Sequence, residues 1–209
     1  MLTFLEKYGG NVHSQNGEDL AIQECVRRIP DLNRVCVEVG SNDGMWLSNT
    51  RHLIEQGWTG LFVEADYSLY FKCKSNWAHN PRVRSQCSRV DGKNINAFVD
   101  DSCDLASFDT DGADYRIFQG LKAKPKIVII EIDSSIPPQI KSYFNKDGAG
   151  TYHNTVELGI SKGYFLLCHT GNLIMVASEY RELFPEIEGD GLSNSHLYFN
   201  NAWVMEGVT

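Results

Sequence analysis

A chain of 209 residues with 42% hydrophobic content is long enough for one α/β domain, short for two, and too apolar to be disordered. Its net charge of −8 contains no block of like charges, which argues against a nucleic-acid partner, where a basic face is expected. No apolar run approaches the roughly 18 residues that span a bilayer, residues 1–7 lack the apolar stretch of a signal peptide, and the six scattered cysteines never form C-x-x-C, so a cytoplasmic protein with reduced thiols and no membrane association is expected.

Strand and helix signals alternate along the chain without a linker or an internal repeat. Gln15, Glu18 and Asp19 begin a helix predicted over 17–28, with Ser14 as its cap. The first strand, 34–39, ends in an acid and breaks into a glycine-bracketed turn, Glu38-Val39-Gly40-Ser41-Asn42-Asp43-Gly44. Glycine lets the backbone take positive φ and approach a ligand. The strand–loop–helix order also aims amide N–H groups at a polar or anionic ligand group. This is not the dinucleotide fingerprint G-x-G-x-x-G, because Asn42 stands where the second glycine belongs.

A helix over 48–56 leads to a second apolar strand, 60–64, which also ends in a carboxylate. Glu64 follows Gly40 at about the 20-residue offset at which a second-strand acid reaches ribose hydroxyls. Its two oxygens suit two vicinal donors, while a solvated strand-end charge is the plain alternative. Asp66 caps a helix over 67–77, and the third strand, 82–87, is polar for a central element. The fourth strand, 104–109, runs into Asp109, Asp111 and Asp114 ahead of a helix over 112–121, and the fifth, 126–132, ends in Glu131 and Asp133.

In a doubly wound sheet both of these strand ends face the ligand crevice. Carboxylates so gathered suit a hard cation, Mg²⁺, Mn²⁺ or Ca²⁺. Otherwise Asp111 and Asp114 cap the helix and Asp133 meets solvent. After a helix over 151–162, strands 163–168 and 172–177 are joined by so short a turn that they must run antiparallel, and a helix over 178–184 follows. The expected fold is α/β and Rossmann-like, one domain with a seven-stranded, mostly parallel sheet, a C-terminal antiparallel hairpin strand and helices on both faces. The six histidines show no zinc spacing. His153, after the fifth strand, fits a base or simply a helix start. Trp58 reads as a core anchor, and Trp46 either covers a ligand or packs under the helix.

The turn at 38–44, with Leu47-Ser48-Asn49-Thr50, Gly57-Trp58-Thr59-Gly60 and Val63-Glu64, resembles the FkbM-type methyltransferases. Ser14-Gln15-Asn16-Gly17-Glu18-Asp19, the stretch from Asp104 to Phe118, and Pro125-Lys126-Ile127 through Pro137-Pro138 extend the resemblance over about residues 14–184. The chain departs from the family pattern at Ala65, Ala113 and Glu131-Ile132-Asp133. The resemblance implies S-adenosylmethionine as cofactor and methylation of a hydroxyl on a sugar or other small molecule.

On that reading Glu38, Gly40, Ser41, Asn42 and Gly44 shape the methionine pocket and Glu64 takes the ribose. Asp43 reaches the cofactor through water or caps the helix at 48–56. Asp109 and Glu131, with Asp111, hold a cation or the acceptor, Asp109 being the base if no metal binds. The acceptor pocket falls to loops such as 134–150. A methyltransferase-fold protein that binds a saccharide or protein partner without turnover is the alternative, and a nucleotide-binding enzyme using the acids around a metal is a third.

Overall fold

The computed structural model of the chain describes residues 3–136, 138, 140–141 and 150–192. Its sheet contains β1 (Val35–Val39), β2 (Thr59–Glu64), β3 (Val83–Cys87), β4 (Leu105–Phe108), β5 (Ile127–Glu131), β6 (Tyr164–His169) and β7 (Asn172–Ala177). They lie in the order β3-β2-β1-β4-β5-β7-β6. Strands β1 to β5 pair in parallel, and β7 runs antiparallel to both of its neighbours, β5 and β6. The seven-stranded mixed sheet and its antiparallel hairpin are those expected. The hairpin's second strand, however, is inserted inside the sheet, not added at its edge.

Among the described residues six α-helices accompany it: α1 (Phe4–Tyr8), α2 (Glu18–Arg28), α3 (Arg51–Glu55), α4 (Tyr67–Asn76), α5 (Asp114–Gly120) and α6 (Tyr152–Ser161). The central strands are near-continuous apolar runs because both their faces are covered. One face buries Val37, Val39, Ala106, Phe108, Val128 and Ile130; the other buries Cys36, Leu105, Ile127, Ile129 and Ile174. The polarity of β3 has a simple cause: it is an edge strand with β2 as its one partner. Among the described residues no helix is long and apolar enough to cross a membrane.

Three local expectations are corrected. The helix predicted over 48–56 covers only Arg51–Glu55, since the three residues before it bond to Glu38 instead. The segment Ser178–Leu183 is a 3-10 helix, and α1, closed by a Thr3–Glu6 capping box, was not foreseen. Gly17 (φ +96°) occupies the N-cap position of α2, while the Ser14 hydroxyl still accepts from the Asp19 N–H at 3.1 Å.

Register determines what leaves the sheet together. Val39 lies beside Phe108 and Phe108 beside Ile130, so Gly40, Asp109 and Glu131 form the next row, with Asn172 of β7 paired to Glu131.

Candidate functional site

At the carboxyl ends of β1, β2 and β4 lies a cleft of about 540 Å³ lined by Gly40, Ser41, Asn42, Glu64, Asp109 and Asp111, among others. The sequence pointed to each of these six. Gly40 has φ +81° and its N–H donates to the Val63 carbonyl, which ties the turn to β2. Asn42 takes φ +50°, a conformation asparagine tolerates better than most residues. Ser41 is buried, its hydroxyl beside the Cys73 thiol.

Glu64 is half-buried at the end of β2. Its Oε2 accepts from the Asn42 N–H and its Oε1 from the Asp66 N–H, each at 2.8 Å. The two amides fix the carboxylate plane and leave each oxygen a further lone pair. Asp66 caps α4 as expected, accepting from the Ser68 and Leu69 N–H groups.

Other members of the glycine motif make their hydrogen bonds within the chain, although Glu38 also lines the cleft. Glu38 is 4% exposed, and its carboxylate accepts from Ser48 Oγ, Thr50 Oγ1 and the N–H groups of Asn49 and Thr50. Burial pushes its pKa up, against those hydrogen bonds. The Leu-Ser-Asn-Thr run is therefore the cradle of a buried acid, a role readable only from a polar run following an apolar strand that ends in Glu. Asp43 neither lines the cleft nor caps α3; its Oδ1 accepts from the Met45 and Trp46 N–H groups. Gly44 does not line the cleft either. A β-carbon there would lie 2.7 Å from Cys73 Sγ and 2.9 Å from Trp77 Nε1, which donates to the Gly44 carbonyl.

The acids separate into holders and a cluster. Asp114, fully buried, accepts from the Thr110 N–H, the Thr110 hydroxyl and the Gly112 N–H, closing the loop before α5. Asp133 accepts from the Ser135 N–H at 3.0 Å. Asp109, Asp111 and Glu131 instead bring one oxygen each within 4.8 Å of one another. Asp111 is held there at φ +57°, its N–H donating to Glu131 Oε2.

Burial, then the charges of Asp114 and Glu38, raises Asp109 well above the usual carboxylate range. Burial, then the charge of Asp109, raises Glu131 further. Burial and their mutual repulsion raise both carboxyls, so the pair holds a proton between them.

His153, second residue of α6, is half-buried and is not among the residues lining the cleft. Nor is any residue of 14–19. Glu18 is buried and accepts from Asn172 Nδ2 at 3.3 Å, which links α2 to the outer end of the acid row. Trp58 is buried in the core as expected, whereas Trp46 lines the cleft and is 67% exposed. Of the expected acceptor loop, residues 137, 139 and 142–149 lie outside the described residues.

No protein-family model matches the chain, and no curated protein matches it. Among solved structures it is similar to WbdD crystallised with the kinase inhibitor LY294002, at a TM-score of 0.50 and 14% identity over 75% of this chain and 40% of that one. Another structure of WbdD, described as a bifunctional kinase-methyltransferase, aligns at 0.48 and 15% identity over 69% and 34%. The mitomycin 7-O-methyltransferase MmcR aligns at 0.43 and 15% identity over 68% and 47%. The chain thus spans less than half the length of these proteins. At such identities the likeness is one of fold alone, a Rossmann-like mixed sheet.

Proposed function

We propose that the chain is an S-adenosylmethionine-dependent methyltransferase whose acceptor is a hydroxyl on a saccharide or other small hydroxylated molecule. The observation that carries this reading is Glu64: a carboxylate fixed by two backbone amides, with a free lone pair on each oxygen, in the same cleft as a glycine turn and a cluster of acids. That combination fits a ribose diol beside a reacting centre. The cleft volume of about 540 Å³ also fits a nucleoside-sized ligand.

When bound, the cofactor supplies a sulfonium methyl: the acceptor oxygen forms the new O–C bond as the C–S bond breaks and sulfur takes the electron pair. The chain's own residues hold the reactants in line and take a proton. Glu64 orients the nucleoside portion, and the 40–42 turn, its own amides tied to Val63 and Glu64, bounds the space for the amino-acid portion. Asp109, the member of the buried acid pair that lines the cleft, receives the hydroxyl proton. Asp109, Asp111 and Glu131 also fit a hard divalent cation, which when bound lowers the pKa of a coordinated hydroxyl and orients its oxygen.

Calorimetric titration with S-adenosylmethionine and S-adenosylhomocysteine tests the reading. Saturable binding of both is expected, and no heat from either at millimolar concentration overturns it.

A further inference from the structure

Tryptophan is the residue with most to gain from burial, and Trp58 and Trp77 are 3% and 5% exposed. Trp46, at 67%, is not: it lines the cleft next to Leu47, itself 37% exposed. The turn that carries it is anchored on three sides. Asp43 Oδ1 accepts from the N–H groups of Met45 and Trp46 at 2.9 and 2.8 Å. Arg51 Nη1 donates to the Met45 carbonyl at 3.2 Å, and the Met45 side chain packs against the core. Next in the chain, Leu47 is held at φ +53°, a strained conformation for a residue with a β-carbon. A fixed and strained turn therefore presents an indole to solvent on the wall of the cleft, which excludes packing under α3.

The rest of the lining says what can cover that indole. Trp46 is the one aromatic ring among the described residues of the wall; the other apolar groups there are Val39, Leu47, Val63, Ala65, Leu69, Val90 and Ala113. A nucleoside with its diol on Glu64 brings a flat, aromatic base into the same space. Base–aromatic stacking favours binding and needs no hydrogen-bond partner.

We infer that Trp46 is the base-covering residue of the cleft: its indole lies against the purine of the bound cofactor and makes the site selective for ligands that carry an aromatic base. This rests on the cofactor reading above and deepens it.

A pair of deletions tests it. S-Adenosylhomocysteine is compared with S-ribosylhomocysteine, which lacks the base, on the unmutated chain, Trp46→Ala and Trp46→Phe. Unchanged melting curves are expected for both variants, since little apolar surface is lost from the core. Trp46→Ala should weaken S-adenosylhomocysteine roughly tenfold, leave S-ribosylhomocysteine unchanged, and remove a change in tryptophan emission that the unmutated chain shows on binding. Trp46→Phe should restore most of the affinity. Equal losses for both ligands, or no loss for either, overturn the inference while leaving the cofactor reading intact. Failure of the unmutated chain to bind S-adenosylhomocysteine overturns the cofactor reading itself, and this inference with it.

Discussion

A β-carbon on Gly40 would stand 1.6 Å from the carbonyl oxygen of Asp109. The ends of β1 and β4 approach so closely that only a hydrogen fits between them, and the same residue must hold φ +81°. The glycine is thus required by the chain's own packing before any ligand enters. Gly40→Ala is expected to destabilise the fold by on the order of 3 kcal/mol, read from urea unfolding. Stability equal to that of the unmutated chain would mean that the two strand ends can part without cost.

Glu64→Ala removes the acceptor of two backbone amides and, on the proposed reading, of two ribose hydroxyls. S-Adenosylhomocysteine binding should weaken by about 2 kcal/mol, or roughly 30-fold. Calorimetry with an unaltered affinity would take Glu64 out of the site.

Saturating Mg²⁺, Mn²⁺ or Ca²⁺ should raise the melting temperature, with a chelator reversing the rise. Asp109→Asn should abolish that shift and leave S-adenosylhomocysteine binding nearly unchanged. If none of the three ions moves the melting curve, the acids contact the acceptor directly and Asp109 is the base.

His169 is 1% exposed, its Nε2 2.8 Å from Ser134 Oγ, and burial holds its pKa down at about 4. A histidine whose folded pKa is lowered contributes stability that is fully present above its unfolded value of 6.5 and lost as pH falls through 4. Acidification across that window should cost roughly 3 kcal/mol. Urea unfolding at several pH values measures this, and His169→Gln should flatten the dependence. An equally steep loss in the variant would assign it to other groups.

Glu131 acts in the opposite sense. Its pKa is raised on folding, so its contribution is fully present below the ordinary carboxylate range and is lost as pH rises through the raised value. Glu131→Gln should therefore match the parent in stability near pH 4 and exceed it near pH 8. A variant no more stable than its parent at the higher pH contradicts the buried, shared proton.

The strands were legible to within about a residue because apolar runs bounded by glycine and acids mark buried parallel strands directly. The polarity of 82–87, which looked anomalous, is what an edge position permits. Of the site, the residues following β1, β2 and β4 were readable because strand ends in this topology share one crevice. The inward contacts of Glu38, Asp43 and Gly44 were not, since a motif does not say which way each side chain turns. Glu38 looks inward to Ser48 and Thr50, Asp43 holds its own turn, and Gly44 makes room for Trp77. The burial of Glu18 was equally invisible, because its partner, Asn172, lies at the far end of the sequence.

The insertion of β7 between β5 and β6 has a consequence for how the protein is made. A chain growing from its N-terminus completes β6 before β7, its lateral partner, exists. By then β1 to β5 can already have paired, and every described residue lining the cleft lies at or before Ala113. The cleft walls can therefore be in place on the ribosome while one edge of the sheet still waits for its last strand. A ligand bound at that stage would stabilise the half-built sheet by mass action, ahead of the moment when Asn172 arrives beside Glu131.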